Sequence, residues 1–349
     1  TSLDHTRIIF SSLNKDLDKG LNLLSQVLIT PAFEQKKFEL AKSLKAEEIR
    51  RLKDDPQRLA FREFNRLIYR DNPRGKFIST KSLKNIERKD LINFHDKFYQ
   101  PQNIMFAVTG DISLEEAISK IKLYFGNWQS HGKPAVIPAL PQKSPSGFFC
   151  IDKDITQSIV ITGQFAPGKN NPDYYAFTLL DFIIGSGGFP SRIFSAVRNN
   201  EGLAYSAGSS YRDRPDQGIF AAYAFTKTES TIKTFSLIES ILNQSKEDSI
   251  TASEIEWAKK SINNSFVFSF TTPEQISWQQ MKLEYDQMPS DFLSTYRDKI
   301  SRITIEDLNK VSTRYLHNKD KITLILGNFK KFEENLAGSR RPVLIIPEE

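Results

Sequence analysis

Apolar positions recur at helical spacing through the first third of the chain. Leu17, Leu21, Leu24 and Leu28 lie three or four apart and predict a helix over Leu13–Leu28. A second long helix is expected from Glu34 to Lys53, broken by Asp54-Asp55-Pro56. A third, over Gln57–Tyr69, runs into the loop Asp71-Asn72-Pro73-Arg74-Gly75, and Leu91–Tyr99 is helical again. Two stretches depart from this rhythm: Asp4–Ser11 reads as the end of a strand, and Ile104–Gly110 as a short, nearly all-apolar strand. Ser130–Gly147, with four prolines and two glycines, is polar and broken, and marks a linker. After it strands dominate, at Phe148–Ile151, Ser158–Gln164, Leu203–Tyr211 and Gly218–Thr226, with helices at Tyr174–Ile184 and Ser191–Asn199.

The pattern also repeats. Ile86–Ile112 lies without a gap over Ile303–Phe329, an offset of 303 − 86 = 217. The shared features are an Ile, an Asp-Leu, an aromatic pair, a polar turn, an apolar run and a Gly. The same offset places Glu39, Ala41 and Lys42 on Glu256, Ala258 and Lys259, and Pro56 on Pro273. Copy two opens near Phe148, so copy one is expected to open near 148 − 217 = −69, ahead of Thr1. The units are therefore residues 1–129 (a first domain truncated at its N-terminus), a linker 130–147, and residues 148–349. The expected fold is α+β, two homologous sandwich domains, each a mostly antiparallel sheet with helices packed on one face.

Composition narrows the function classes. No apolar run approaches the ~20 residues of a membrane span, so no integral membrane segment is expected, and the compartment, cytoplasmic or periplasmic, stays open. The net charge of +6 is spread over helical faces without a basic block, which argues against a nucleic-acid partner. A single cysteine, Cys150, leaves no internal disulfide and no Cys-based zinc site. His5, His95, His131 and His317 are far apart, and no GxSxG nucleophile turn occurs.

Two constellations could carry chemistry. Ala41, Leu44, Glu48, Ile49 and Leu52 fall on one helical arc with Glu48 near its middle, while Glu47 points about 100° away toward solvent. A carboxylate in an apolar stripe is costly unless paired or metal-bound. The simpler reading is a partly exposed Glu paired with Lys45. Copy two carries Ser265 at this position, so the shared fold does not require the carboxylate. The second is Gly185–Tyr205 (GSGGFPSRIFSAVRNNEGLAY), where a glycine loop including Gly187 and Gly188 opens a helix ending near Arg198, and a turn leads to a strand bearing Tyr205. An Arg and a phenol aimed at one cleft could bind a carbonyl and stabilise an oxyanion. The simpler reading is a helix-end Arg and a core Tyr.

These residues resemble the pitrilysin/insulinase zinc metallopeptidases (inverzincins), in particular their short processing-peptidase-like members, over almost the whole chain. Glu47-Glu48-Ile49 followed by Asp54-Asp55-Pro56 is similar to the family's segment bearing its third zinc ligand, which the resemblance assigns to Glu48. Gly185–Tyr205 is similar to its second-domain signature. There the resemblance assigns to Arg198 and Tyr205 the holding of substrate and of the tetrahedral intermediate. The family's HxxEH, source of two His ligands and the general base, falls ahead of Thr1 by this alignment. Ala41 departs from the pattern, since active members commonly carry a supporting Glu there. The resemblance implies a zinc endopeptidase acting on peptides or unfolded segments in a closed chamber, as a homodimer or with a sister subunit. The alternative is a non-catalytic partner subunit of such an enzyme.

Overall fold

The computed structural model describes all residues except 131, 133–137, 142, 247–249, 317–318, 337–341 and 348–349, so part of the linker lies outside the described residues. The helices are α1 (Leu17–Ile29), α2 (Gln35–Arg51), α3 (Pro56–Tyr69), α4 (Thr80–Asn85), α5 (Arg88–Phe98) and α6 (Leu114–Phe125), then α7 (Tyr174–Asp181), α8 (Arg192–Phe194), α9 (Thr231–Gln244), α10 (Ala252–Phe266), α11 (Pro273–Tyr285), α12 (Phe292–Arg302) and α13 (Ile305–Tyr315). The strands are β1 (Gly147–Asp152), β2 (Gln157–Pro167), β3 (Ala204–Arg212), β4 (Gln217–Lys227), β5 (Ile322–Gly327) and β6 (Val343–Leu344). They form one sheet in the order β3-β4-β2-β5-β1-β6. Pairing is antiparallel except where β1 meets β5 and β6. The fold is α+β with a mostly antiparallel sheet, as the pattern predicts.

Subtracting 217 superimposes the helices of the two halves. α10 falls at 35–49 on α2, α11 at 56–68 on α3, and α13 at 88–98 on α5. The capping chemistry repeats too. Asp55 and Thr272 accept from the third backbone N–H of α3 and α11, each with Pro at the first helical position, and Glu87/Asp90 and Thr304/Asp307 form capping boxes on α5 and α13. Even strain repeats. Arg70 and Gln287, again 217 apart, are two of only three non-glycine residues with positive φ among the described residues.

The halves differ in their strands. Asp4–Ser11 and Ile104–Gly110, both expected as strands, pair with no strand among the described residues. The sheet order supplies the reason. By the offset, Gly218–Lys227 of β4 falls on Thr1–Phe10, and β5 falls on 105–110. In the second half these two strands are separated by β2, whose counterpart would be numbered 157 − 217 = −60 onward. Among the described residues no strand lies between the two first-half segments as β2 does in the second half, and a strand without a ladder partner is not stable alone.

Side chains alternate across the sheet with period two. Phe220, Ala222 and Ala224 of β4 face the second half's own helices, packed with Phe177, Leu180, Ile184, Ile193, Ile238 and Leu308. Ile159 and Ile161 of β2, Ile219 and Ala221 of β4, and Leu324 and Leu326 of β5 face the other way, onto Leu59, Ala60, Phe64 and Ile68 of α3. Helices of the second half thus lie on one face as expected, and the opposite face is covered by a helix from the first half. Gly163 makes the approach possible, since a Cβ there would stand 2.3 Å from the Phe220 carbonyl and 2.7 Å from the Phe64 ring.

An ion cluster joins the halves. Arg74, whose side chain is only 7% exposed, donates to Asp4 at 2.9 Å and to Asp216 at 2.7 Å. Arg214 also pairs with Asp4, and the Tyr285 hydroxyl donates to the Asp4 carbonyl at 3.0 Å.

Candidate functional site

The glycine-rich segment departs from regular helix twice. α7 ends at Asp181 and gives way to a π-helical segment, Phe182–Ser186, and α8 runs into a second, Ser195–Asn200. Such segments shift side chains off the helical register and concentrate at functional sites. Between them Gly188 takes φ +76, with open space around it, and Ser191 Oγ donates to the carbonyls of Gly188 (2.7 Å) and Gly185 (3.2 Å). Gly187 is pressed against the Trp257 ring and the Phe182 carbonyl, so its lack of a side chain is accounted for by packing. Arg192 anchors the segment through a bidentate pair with Glu254, at 2.6 and 2.7 Å.

Arg198 and Tyr205 come together. The guanidinium carbon lies 5.2 Å from the Tyr205 ring centre, 4.9 Å from Phe194 and 5.7 Å from Phe189. Its N–H groups meet no acceptor and no carboxylate among the described residues. Tyr205 is 80% exposed at the start of β3, so it is not a core tyrosine. Three rings around an unpaired, half-buried guanidinium hold it by cation–π attraction and keep its donors free for a ligand acceptor. The two phenylalanines are not singled out by the sequence pattern. The available signal is Phe194, four residues before Arg198 on one helical face.

The setting expected for Glu48 is not found. Leu44 and Glu48 are both exposed, Glu48 with 48% of its side chain accessible, and Ile49 is the residue buried in that turn. Glu47, expected toward solvent, is the less exposed of the two and pairs with Arg50 and Arg51 at 2.5 and 2.6 Å. Glu48 accepts from Lys45 at 2.8 Å and Arg58 at 3.4 Å, and the Lys45 hydrogen bond, more than the charge nearby, holds its carboxyl below the ordinary range. The arc stays open because no described element covers Leu40 or Leu44. No hydrogen bond or ion pair links Glu48 to Arg198 or Tyr205. The described residues include no group of three His, Cys, Asp or Glu able to hold a metal, and Glu48 alone, engaged by two cations, does not make a zinc site, which takes at least three protein ligands.

Comparisons with known proteins agree with the fold. A family model described as "Peptidase M16 inactive domain" matches residues 85–262, and one described as "Insulinase (Peptidase family M16)" matches residues 1–81. A protein of Rickettsia felis named "Uncharacterized zinc protease" is 30% identical over 227 residues, 64% of this chain and 54% of that protein, so the match spans about half of that relative's length. A Mycobacterium leprae protein named as an uncharacterized zinc protease is 25% identical over 91% of this chain and 73% of its own. Among solved structures, the peptidase M16 inactive domain from Pseudomonas fluorescens has a TM-score of 0.82 at 22% identity, covering 90% of this chain and 76% of that one. A protease from Helicobacter pylori has a TM-score of 0.79 at 22% identity, covering 90% and 77%.

Proposed function

We propose, for a chain that belongs to peptidase family M16, that its 349 residues form the peptide-gripping side of a zinc endopeptidase. The observation that carries this reading is the unpaired Arg198 guanidinium, walled by Phe189, Phe194 and Tyr205 beside an exposed phenol. Arg198 presents N–H donors in a fixed fork, and its aromatic surroundings limit the hydration that would compete for them. A carbonyl oxygen of an extended peptide is a matching acceptor. The Tyr205 hydroxyl donates a second hydrogen bond to the same oxygen, and both strengthen as negative charge develops on it. Gly188, open to solvent in its turn, and Gly187 beside it would let a peptide backbone pass close.

Glu48 is proposed as a zinc ligand of the intact enzyme. Its two imidazole partners must come from residues other than these, and binding there requires the carboxylate to leave Lys45 and Arg58. No metal-dependent step is assigned to the residues present. A homodimer, or a pair with a sister subunit, would close the chamber around the peptide. A second reading, a non-catalytic partner subunit that keeps only the gripping side, is favoured by the pairing of Glu48 with two cations and by Ala41.

Fluorescence anisotropy of a labelled unstructured peptide tests the shared core. Arg198→Ala is expected to weaken binding at least tenfold and Tyr205→Phe severalfold, each leaving the melting temperature within a degree or two. Unchanged affinity in both variants would remove the site from consideration. Zinc content of the intact polypeptide, with and without Glu48→Gln, then separates the two readings.

A further inference from the structure

Asp181 is a buried carboxyl that peptide gripping does not use. It ends α7 with 5% of its surface exposed, among Leu180, Ile183 and Ile184. The Ser209 hydroxyl donates to its Oδ1 at 2.6 Å and lies 3.3 Å from its backbone carbonyl. Ser209 sits on β3, four residues beyond Tyr205. At the same join the backbones touch, since a Cβ on Gly185 would stand 2.3 Å from the Ser209 nitrogen. The chain leaving Asp181 runs through the glycine turn, hooked by Ser191, to α8 and Arg198. The chain leading back from Ser209 runs along β3 to Tyr205. The two arms that carry the gripping residues thus diverge from one polar junction.

We infer that Asp181 is a positioning residue: its carboxyl ties the glycine-rich turn to β3 and so sets the spacing of Arg198 and Tyr205. This rests on the peptide-gripping reading above. A hydroxyl–carboxyl bond in an apolar surround is directional, whereas apolar packing alone would let the arms slide.

The junction is also sensitive to pH. Burial pushes the Asp181 carboxyl up to about 6 from 3.8, with the hydroxyls of Ser209 and Ser186 pulling the other way. No cation on α7, β3, α10, α12 or α13 acts on it. Burial raises the Tyr211 phenol on β3, the charges of Asp213 and Asp181 add to this, and that phenol donates to the Pro167 carbonyl at 2.5 Å. Because burial raises the folded value above the unfolded one, the closed junction is most stable when the carboxyl is neutral, even though the hydroxyl donors themselves favour the ion. The closed junction loses stability as pH rises from about 4 to about 6, where a buried charge must be desolvated, and stays less stable above that.

Amide hydrogen exchange of Gly185–Gly188 and Tyr205–Ser209, read as opening equilibria from pH 4 to 8, tests this without any peptide. The wild-type protein should lose up to about a hundredfold in protection between pH 4 and 7, about tenfold for each pH unit separating the folded value from the unfolded one. Asp181→Asn keeps an acceptor for Ser209 and should abolish that step. Asp181→Ala should show low protection throughout and weaker peptide binding. If Asp181→Ala does not fold, Ser209→Ala replaces it with the same expectation. A pH step that survives in Asp181→Asn, or alanine variants with wild-type exchange and affinity, overturns the inference. Unchanged affinity in Arg198→Ala sinks only the peptide reading, because the exchange measurement does not depend on it.

Discussion

α3 and α11 are the same helix of the repeat, capped alike at the N-terminus and followed at equivalent positions by the positive-φ residues Arg70 and Gln287, yet they live in different surroundings. Leu59 of α3 is 4% exposed and its counterpart Ile276 on α11 is 45% exposed. The difference lies in what each helix covers. α3 crosses to the second half and packs on β2, β4 and β5. α11 gives Leu283 to its own half's core, and its other contacts include the first-half segment that corresponds to β4, with Arg7 over the Trp278 ring, His5 tilted against it, and His5 and the Asp4 carbonyl against Tyr285. Each helix thus reaches toward the opposite repeat, and among the described residues the sheet is built by the second half. Burial follows from the partner surface a helix meets as much as from its own amphipathic pattern.

The sharpest way to break this comparison is to truncate both helices at matched positions. Phe64→Ala should cost about 3–5 kcal/mol, because Phe64 is fully buried against Gly163 and the sheet. Met281→Ala, 217 residues on, should cost less than about 1 kcal/mol in the same urea titration. Equal costs would mean that the two helices do not differ in the way described.

The clasp between the halves comes next. Arg74→Ala leaves Asp4 with Arg214 alone and should lower stability by about 2–3 kcal/mol, detected as loss of a single cooperative transition between the halves. Burial, the largest single influence, raises the Asp216 carboxyl, but the hydrogen bond and charge of Arg74 together with backbone N–H donors outweigh it and hold the carboxyl below the ordinary 3.8. The sign follows: stability from this pair is present above that value and lost as pH falls through the depressed one. Arg74→Ala should therefore flatten the acid limb of the melting-temperature profile.

The smallest effect is expected at Glu48. Its exposed pairs with Lys45 and Arg58 are worth little, so Glu48→Gln should move stability by less than about 0.5 kcal/mol. A large loss would show that the carboxylate has a structural task, which would weaken its assignment as a ligand.

Much of this is legible in order along the chain. The helices with leucine spacing and Pro or Ser/Thr starts are readable to within a few residues, because their signals are local. β1 to β4 are readable from short apolar runs between turns. The strands expected at Asp4–Ser11 and Ile104–Gly110 are not realised, because pairing depends on a neighbour and a run of apolar residues cannot supply one. Glu48 is misplaced for a related reason: its arc is apolar in pattern, but exposure depends on what covers it. Arg198 and Tyr205, seven apart, are readable as a pair. Their aromatic enclosure, and the tie at Asp181 and Ser209, join residues up to 28 apart and depend on two π-helical shifts that no periodicity reports.

By itself the amino-acid sequence determined the repeat, the local elements and the glycine-rich segment, since propensity, capping and spacing act over a few residues. The tertiary structure decided which helix is buried, which strands form and which charges meet. Those outcomes are set by surfaces brought together from distant parts of the chain, and a helix or strand cannot encode its own cover.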